Sequence, residues 1–228
     1  MSNLLHSEAE HREVPVRMIC FAGALLMLLL CPVVIAVFPQ YPKLVFELVF
    51  SLVVLSGVQV VRDSRRHFLI GWVLGLANLV AIWLYFFHQH ASWSSWPRIL
   101  LLIVFTIFLL AHLFRLIFFH RSISLEVIFA SVAGYLLLGF LGGQLCFVLE
   151  CALPGAFKLE GAGILFQLTY FSYTTLITLG YGDIIPVHAA AKSLALFISI
   201  AGQLYLTLLV AILVGKFTSK NGLSGIGS

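Results

Sequence analysis

The chain has 228 residues, of which 61% are hydrophobic and only 10% are charged. Its mean hydropathy of +1.09 lies well outside the range of soluble globular domains and indicates an integral membrane protein. The net charge of +4 does not require a nucleic-acid partner, because basic loops that face anionic lipid on one side of a membrane account for it.

Apolar runs long enough to cross a membrane recur along the chain. A helix needs about 20 apolar residues to span about 30 Å of hydrocarbon. Six runs meet this requirement and predict six transmembrane helices, at about 17–38, 43–61, 68–88, 98–119, 125–148 and 190–216. A further stretch at 163–177 is shorter and more polar, which favours a re-entrant helix. The predicted fold class is therefore an all-α membrane protein.

The distribution of Lys and Arg predicts which loops face the cytoplasm. With the N-terminus inside, the cytoplasmic side receives nine basic residues: Arg12, Arg17, Arg62, Arg65, Arg66, Arg115, Arg121, Lys216 and Lys220. The outside receives four, which are Lys43, Arg98, Lys158 and Lys192. Because short cytoplasmic loops are enriched in basic residues, we expect both termini to be cytoplasmic. The expected location is the plasma membrane or a bacterial inner membrane.

These runs predict four segments along the chain. A cytoplasmic N-terminal segment (1–16) precedes a four-helix transmembrane domain (17–123). A C-terminal domain (124–218) follows and is itself followed by a flexible cytoplasmic tail (219–228). Within the C-terminal domain, the order is outer helix, outer loop, re-entrant helix, short polar segment and inner helix.

The most informative motif is Thr178-Leu-Gly-Tyr-Gly-Asp183, between the re-entrant helix and the last apolar run. Glycine adopts positive φ angles without a Cβ penalty, so Gly180 and Gly182 allow successive residues to alternate in handedness. Alternation directs consecutive carbonyl groups to one side, where they can replace the water shell of a monovalent cation. The predicted ligands are the Thr178 hydroxyl and the carbonyls of Thr178, Leu179, Gly180 and Tyr181.

This motif resembles the selectivity filter of the potassium channel pore family, usually Thr-Val-Gly-Tyr-Gly followed by Asp. Leu179 is the only departure; it keeps the carbonyl, but its packing against the re-entrant helix must differ. The resemblance covers about residues 125–216 and implies a potassium-selective channel similar to small bacterial channels of the six-helix type. Because the chain has one filter segment, it also implies a homotetramer. K⁺ is then the permeant ligand, and no cofactor is expected.

The resemblance also implies which residues support the filter. Many members of the family brace it with two tryptophans, where this chain has Tyr170 and Phe171. Some members place a carboxylate at the position of Thr174, hydrogen-bonded to the Asp after the filter, and this chain cannot form that pair. Asp183 is expected either to meet the Tyr170 hydroxyl or to remain a solvated carboxylate that attracts cations. Thr175 completes the predicted support.

The last apolar run contains three further candidate residues. Gly202 lies near its middle. A glycine at this place serves as a gating hinge in the resembling family, but glycine also provides a small packing surface in membrane helices, and both interpretations stay open. Gln203 and Thr207 share a helix face because they are four residues apart. Since polar side chains avoid lipid, this face is expected to border the central cavity or a neighbouring helix.

The first four apolar runs lack the pattern of a voltage sensor. Moving one charge through 100 mV yields only about 2.3 kcal/mol, so a sensor needs several basic residues in the membrane. The fourth run has Arg98 and Arg115 at its ends and no Lys or Arg between them. We therefore expect a voltage-insensitive channel. Glu47, inside the second run, is expected to form an ion pair with Lys43 or Arg98.

Three other functions compete with that of a potassium channel. A weakly selective monovalent cation channel stays open because of Leu179, and so does a pore subunit that needs a partner chain. A secondary transporter is disfavoured, since transporters usually have two related halves with interrupted helices and only one interruption occurs here. No combination of residues points to catalysis, so the chain is not expected to be an enzyme.

Overall fold

A computed structural model of the protein describes residues 2–37, 40–61, 65–87, 95–119, 124–159 and 163–224. The N-terminal helices are α1 (Ser2–Leu29), α2 (Cys31–Val37), α3 (Pro42–Val60), α4 (Arg65–Phe87) and α5 (Ser95–Phe119). They are followed by α6 (Leu125–Ala152), β1 (Phe157–Lys158), α7 (Ile164–Leu176), β2 (Ile185–Pro186) and α8 (Ala189–Ser224).

The chain divides into two compact units. The N-terminal unit runs to Phe119 and includes Ser124–Leu136, the first part of α6. The C-terminal unit includes the chain from Leu137 onward. The boundary predicted between residues 123 and 124 falls at the edge of a segment outside the described residues, and it stays a prediction.

Several helices are suited to a membrane. Five are long and apolar enough to cross one, namely α3, α4, α5, α6 and α8. A sixth span is obtained if Val16–Leu29 and Cys31–Val37, which are bent by 60° at Leu30, are counted as one. The protein is therefore a mostly helical, multi-pass membrane protein. The described residues give five crossings, or up to six.

The bend in the first apolar run corrects the single helix expected over 17–38. Pro32 is the second residue of α2, directly after the break at Leu30. Proline has no amide hydrogen, and its ring clashes with the carbonyl four residues earlier, so it cannot continue α1. The Leu30 carbonyl instead accepts hydrogen bonds from the amides of Val33 at 3.0 Å and Val34 at 3.2 Å.

Two features of the C-terminal unit also differ from expectation. The outer loop contains β1, which pairs antiparallel with β2; Phe157 lies opposite Pro186, and Lys158 opposite Ile185. This ladder of two residues per strand is a local feature of a fold that is consistent with the expected all-α class. The helix α8 continues to Ser224, beyond the end expected near residue 216 and into the segment predicted to be a flexible tail. Residues 225–228 of that segment lie outside the described residues.

The N-terminal unit is built by neighbouring helices that pack on one another: α1 on α3, α3 on α4, and α4 on α5. At Gly57 in α3 the packing is so close that an added Cβ would lie 2.7 Å from Leu109 Cδ1 and 3.2 Å from Phe21 Cε2. A glycine at this contact therefore lets α1 and α5 both approach α3. Small residues allow such close approach in membrane proteins, where packing contributes much of the association energy.

Buried polar side chains in this unit bond to the backbone of their own helices. The hydroxyls of Ser51 and Thr106 donate to the carbonyls four residues earlier, at 2.7 and 2.8 Å. The Asn78 amide donates to Leu74 O at 2.9 Å and also to Leu101 O at 3.4 Å, which joins α4 to α5. Hydrocarbon offers no other partners, so these bonds make polar residues tolerable within the spans.

One ion pair connects α3 to α5. Arg98 Nη1 donates to Glu47 Oε1 at 3.1 Å, and the two side chains are 20% and 8% exposed. Glu47 Oε2 is buried and has no hydrogen-bond partner among the described residues. Of the two partners expected for Glu47, the structure therefore selects Arg98 on the neighbouring helix for the ion pair.

Loss of Arg98 should destabilise the N-terminal unit. Arg98→Leu leaves the Glu47 carboxylate buried without its counter-charge, and we expect the free energy of unfolding to fall by about 3 kcal/mol. The double variant Glu47→Leu/Arg98→Leu should recover most of this loss, because no buried charge remains. Thermal unfolding in detergent micelles measures both effects.

Arg65→Leu is the matched control, since Arg65 is an exposed arginine at the start of α4. Its effect should stay within about 0.5 kcal/mol. An Arg98→Leu variant as stable as this control would contradict the structural role of the ion pair.

Candidate functional site

The re-entrant helix α7 forms over Ile164–Leu176, in agreement with its predicted bounds. Gly163 at its N-cap has φ of 85°, a left-handed conformation that suits glycine. The hydroxyls of Thr169 and Thr174 donate to the carbonyls of Leu165 at 2.7 Å and Phe171 at 3.0 Å. These polar side chains are therefore satisfied within the helix.

The segment after α7 has the alternating backbone that its sequence predicts. Thr178, Gly180 and Gly182 have positive φ angles of 59°, 56° and 77°. Thr178 is the one non-glycine residue with positive φ in the described part of the chain, so Leu179 and Tyr181 have negative φ. The sign of φ therefore alternates over five consecutive residues.

The amides of this segment bond back to the end of α7. The Thr174 carbonyl accepts hydrogen bonds from Leu179 N at 2.8 Å and from Gly180 N at 3.2 Å. The Thr175 carbonyl accepts one from Thr178 N at 3.1 Å. Thr174 and Thr175, both expected to support the filter, therefore contact it through their backbone carbonyls.

These bonds determine where the carbonyl groups point. In a trans peptide, the N–H of one residue points opposite to the C=O of the residue before it. Because the amides of Leu179 and Gly180 face α7, the carbonyls of Thr178 and Leu179 face away from it. Residues 177–183 are all exposed to solvent in the single chain, although some of their amides bond to α7. Leu179 is 48% and Tyr181 68% exposed. The oxygens are thus presented on an uncovered surface.

Tyr170 and Asp183 meet, which favours the first of the two alternatives stated for Asp183. The Tyr170 hydroxyl donates a hydrogen bond to the Asp183 carboxylate, and this bond is the main reason that the pKa of Tyr170 is raised. Asp183 Oδ1 also accepts from Ile184 N at 3.1 Å. The residue after the filter is therefore tied to α7 by a tyrosine hydroxyl.

Phe171, the second aromatic support residue, contacts the outer loop. Its ring lies edge-on to that of Phe157 in β1, with centroids 5.3 Å apart. The carboxylate of Glu150 fixes this loop by accepting from Gly155 N at 2.8 Å and Phe157 N at 2.9 Å. The Ala156 carbonyl in turn accepts from the amides of residues 187 and 188, beyond the filter, at 2.8 and 3.2 Å. Pairing of β1 with β2 completes this connection.

Close packing holds α7 against α6. An added Cβ on Gly139 would meet the Tyr173 ring, and one on Gly142 would meet Ser172 Oγ. Gly143 approaches the backbone of Thr169, with 2.6 Å from an added Cβ to the Thr169 Cα. Ser172 Oγ donates to the Gly139 carbonyl at 2.7 Å. The glycines lie three and four residues apart, a spacing that puts them on one face of α6.

The three inner-helix candidates all lie on α8. Gly202 is buried against the end of α7, where an added Cβ would lie 2.5 Å from the Leu176 carbonyl oxygen. Gln203 and Thr207 are exposed in the single chain. The Thr207 hydroxyl donates to the Gln203 carbonyl at 2.8 Å, which agrees with their predicted position on one face.

Comparison with known proteins agrees with this geometry. Residues 123–219 match a family model described as "Ion channel". This part of the chain is therefore similar to ion channels. The match covers the outer helix, filter and inner helix, and it confirms the resemblance to potassium channel pores. It also places the protein among channels and not among enzymes. No curated protein and no solved structure matches the chain.

Some residues that contact α7 or the predicted filter segment were not identified from the sequence. Glu150, Phe157 and the paired strands lie in or beside an outer loop that gave no strand signal, because two-residue strands are too short to show periodicity. The glycines of α6 did carry a signal, since Gly139, Gly142 and Gly143 have the spacing of a small-residue helix face. That spacing indicates a close helix contact without saying which helix makes it.

The contact between Tyr170 and Asp183 should be visible in the tyrosine titration. Because the pKa of Tyr170 is raised, the stabilisation from this contact is present below pH of about 10 and is lost as pH rises through the raised value. Asp183→Asn should lower that pKa, since it removes the negative charge. The measurement is the tyrosinate absorbance of each protein minus that of its Tyr170→Phe counterpart.

Glu126→Gln is the control, because it removes a carboxylate at the start of α6 and outside this site. It should leave the Tyr170 titration unchanged. A titration that does not respond to Asp183→Asn would be inconsistent with the hydrogen bond.

Proposed function

We propose that the protein is a potassium-selective channel, in which four identical chains each contribute one filter segment. The observation that carries this proposal is the alternation of φ from Thr178 to Gly182, together with the hydrogen bonds that the Leu179 and Gly180 amides donate to Thr174. This backbone leaves carbonyl oxygens available on one side. Rings of such oxygens suit a monovalent cation that has lost its water shell.

The proposed mechanism is passive conduction without chemical change. K⁺ loses its water as it enters the filter, and carbonyl oxygens of residues 178–181 take the place of that water. The Thr178 hydroxyl forms the innermost ligand. The C-terminal end of α7 carries about half a negative charge, so four such ends stabilise a cation that waits in the cavity below.

Four chains are needed because one chain supplies only one side of the filter. The carbonyl groups of a single segment cannot surround an ion, and cyclic symmetry closes the ring with identical surfaces. The high exposure of Leu179 and Tyr181 in the single chain suits a segment that is covered on assembly. The exposed Gln203 and Thr207 then border the cavity or a neighbouring chain.

The same proposal includes the arrangement in the membrane. We count α1 and α2 as one bent span, which gives six crossings and puts both termini in the cytoplasm. Lys and Arg counts favour this orientation. The outer loop with β1 and the residues after the filter then lie outside, and the membrane is the plasma membrane or a bacterial inner membrane.

We further propose that gating does not depend strongly on voltage. The helix α5 has Arg98 near its start and Arg115 near its end, with no Lys or Arg between them. Arg98 is held by Glu47 at 3.1 Å. Since opening driven by voltage needs several mobile charges, this domain has too few of them.

The first experiment measures cation flux from liposomes that contain only this purified chain. Potassium flux well above sodium flux, with block by barium, is the expected result. Equal fluxes would instead favour a weakly selective channel whose filter is loosened around Leu179. No flux from verified tetramers, at any applied voltage, would favour a pore subunit that needs a partner chain.

Gly180→Ala tests the filter backbone directly. Within one chain nothing lies within 4 Å of an added Cβ, but φ of 56° strains an L-residue by about 1–2 kcal/mol. We expect alanine to shift the backbone and to lower potassium flux at least about tenfold. Flux is measured per verified tetramer in the same liposomes.

Gly163→Ala is the matched control. Gly163 also has positive φ and open space, but it lies at the N-cap of α7, away from the filter. The control carries similar strain and should retain flux and selectivity. Equal loss of flux in both variants would show that strain anywhere near α7 is sufficient, and that the filter conformation is not specifically required.

A further inference from the structure

Gly202 on α8 contacts the end of α7 that leads into the filter. An added Cβ would lie 2.5 Å from the Leu176 carbonyl oxygen, 2.8 Å from Leu176 Cδ1 and 3.0 Å from Leu176 Cγ. Leu176 is the last residue of α7 and is fully buried. Only Ile177 separates it from Thr178. The contact is therefore made at the base of the filter segment.

The nearest atom in this contact belongs to the backbone. A crowded side chain can rotate away, but a helix carbonyl oxygen moves only if the helix moves. Side-chain Cβ atoms essentially never lie closer than 3.0 Å to another heavy atom, so alanine at 202 would displace α8 or the end of α7 by about half an ångström. The absence of a side chain at 202 thus determines how near these helices lie.

The end of α7 also carries the acceptors that hold the filter. Thr174 accepts from the amides of Leu179 and Gly180, and Thr175 accepts from Thr178. Both lie within two residues of Leu176. A displacement at Leu176 is therefore transmitted to the carbonyls that orient the filter backbone.

We propose that Gly202 is a positioning residue for the filter. Because Gly202 has no side chain, α8 packs directly against the C-terminal end of α7. This contact fixes the position of Thr174 and Thr175, whose carbonyls bond to the filter amides and so orient the carbonyls of residues 178 and 179. The effect on selectivity rests on the proposed potassium conduction, whereas the effect on the filter's hydrogen bonds does not.

This role differs from that of a gating hinge. A hinge absorbs a change in backbone angles, and its replacement alters opening. Gly202 has helical backbone within the continuous α8 and is buried in a contact. Gly215, further along α8, has nothing within 4 Å of an added Cβ and is free of such contact. Comparison of the two glycines therefore separates contact from flexibility.

The experiment compares three alanine variants in full-length protein. Gly202→Ala tests the contact. Gly215→Ala makes the same change on the same helix in open space. Gly57→Ala makes it at another close contact, in the N-terminal unit, where the nearest atom is a side-chain carbon, Leu109 Cδ1 at 2.7 Å, and so controls for helix crowding away from the filter.

Two readouts are measured for each variant. The first is hydrogen exchange of peptides containing residues 178–182, which reports on the amide bonds to Thr174 and Thr175. The second is the ratio of potassium to sodium flux in liposomes, with barium block. We expect Gly202→Ala to speed exchange several-fold and to lower the flux ratio about tenfold, which corresponds to about 1.4 kcal/mol. The other two variants should match the wild type in both readouts.

The results for Gly202→Ala and its controls distinguish a positioning role from a hinge and from general destabilisation. Wild-type exchange and flux ratio in Gly202→Ala, with only the fraction of open channels changed, would overturn it and support a hinge. Faster exchange in Gly57→Ala as well would also overturn it, because general destabilisation would then suffice. If wild-type protein shows no potassium preference, the proposed function fails, but faster exchange confined to Gly202→Ala still supports the positioning role.

A variant that does not assemble alone can be tested in mixed tetramers. One Gly202→Ala chain linked to three wild-type chains introduces a single displaced contact. A lower flux ratio in these tetramers supports the proposal, and an unchanged ratio contradicts it.

Discussion

Two hydrogen bonds to one carbonyl organise the segment that follows α7. The backbone carbonyl oxygen of Thr174, in the last turn of α7, accepts hydrogen bonds from the amides of Leu179 and Gly180. Helix ends leave carbonyls without intrahelical partners, and filter amides need partners away from water. Each group therefore satisfies the other. Once the amides face the helix, the planar trans peptide turns the preceding carbonyls away from it, toward the exposed side of the segment.

This arrangement works only if α7 is held firmly, and the structure holds it along its length. Glycines on α6 allow contact with Thr169, Ser172 and Tyr173, and Gly202 on α8 contacts Leu176. On the outer side, Phe157 packs on Phe171, while strand pairing attaches the outer loop to the chain beyond the filter. Small residues are thus placed where backbone must approach backbone, and aromatic residues where a gap must be filled.

The N-terminal unit accommodates polar and charged side chains within its apolar helices in another way. Its buried hydroxyls bond to their own helices, and an ion pair between Glu47 and Arg98 joins α3 to α5. A paired, partly buried charge costs less in hydrocarbon than a lone one, but it is also fixed in place. Arg98 therefore serves as a structural link between α3 and α5.

Much of the site could be predicted because its causes are local. The helix α7 could be predicted because the stretch that contains it is too short and too polar to cross a membrane. The alternating backbone at 178–182 could be predicted because glycine adopts positive φ. Other features needed contacts between distant residues. The bend at Leu30 had a local cause in Pro32, but its angle depends on packing. The paired strands were too short to produce a pattern, and Glu47 had two candidate partners until Arg98 was placed beside it.

The sequence by itself determined the class of the protein, the position of α7 and the alternating backbone of the segment proposed as the filter, because hydropathy and glycine conformation act residue by residue. The tertiary structure decided which groups meet. Tyr170 reaches Asp183, and Gly202 faces a carbonyl instead of open space, because those pairings depend on how helices approach one another. Distances between segments far apart in the chain are properties of packing, and no local pattern encodes them.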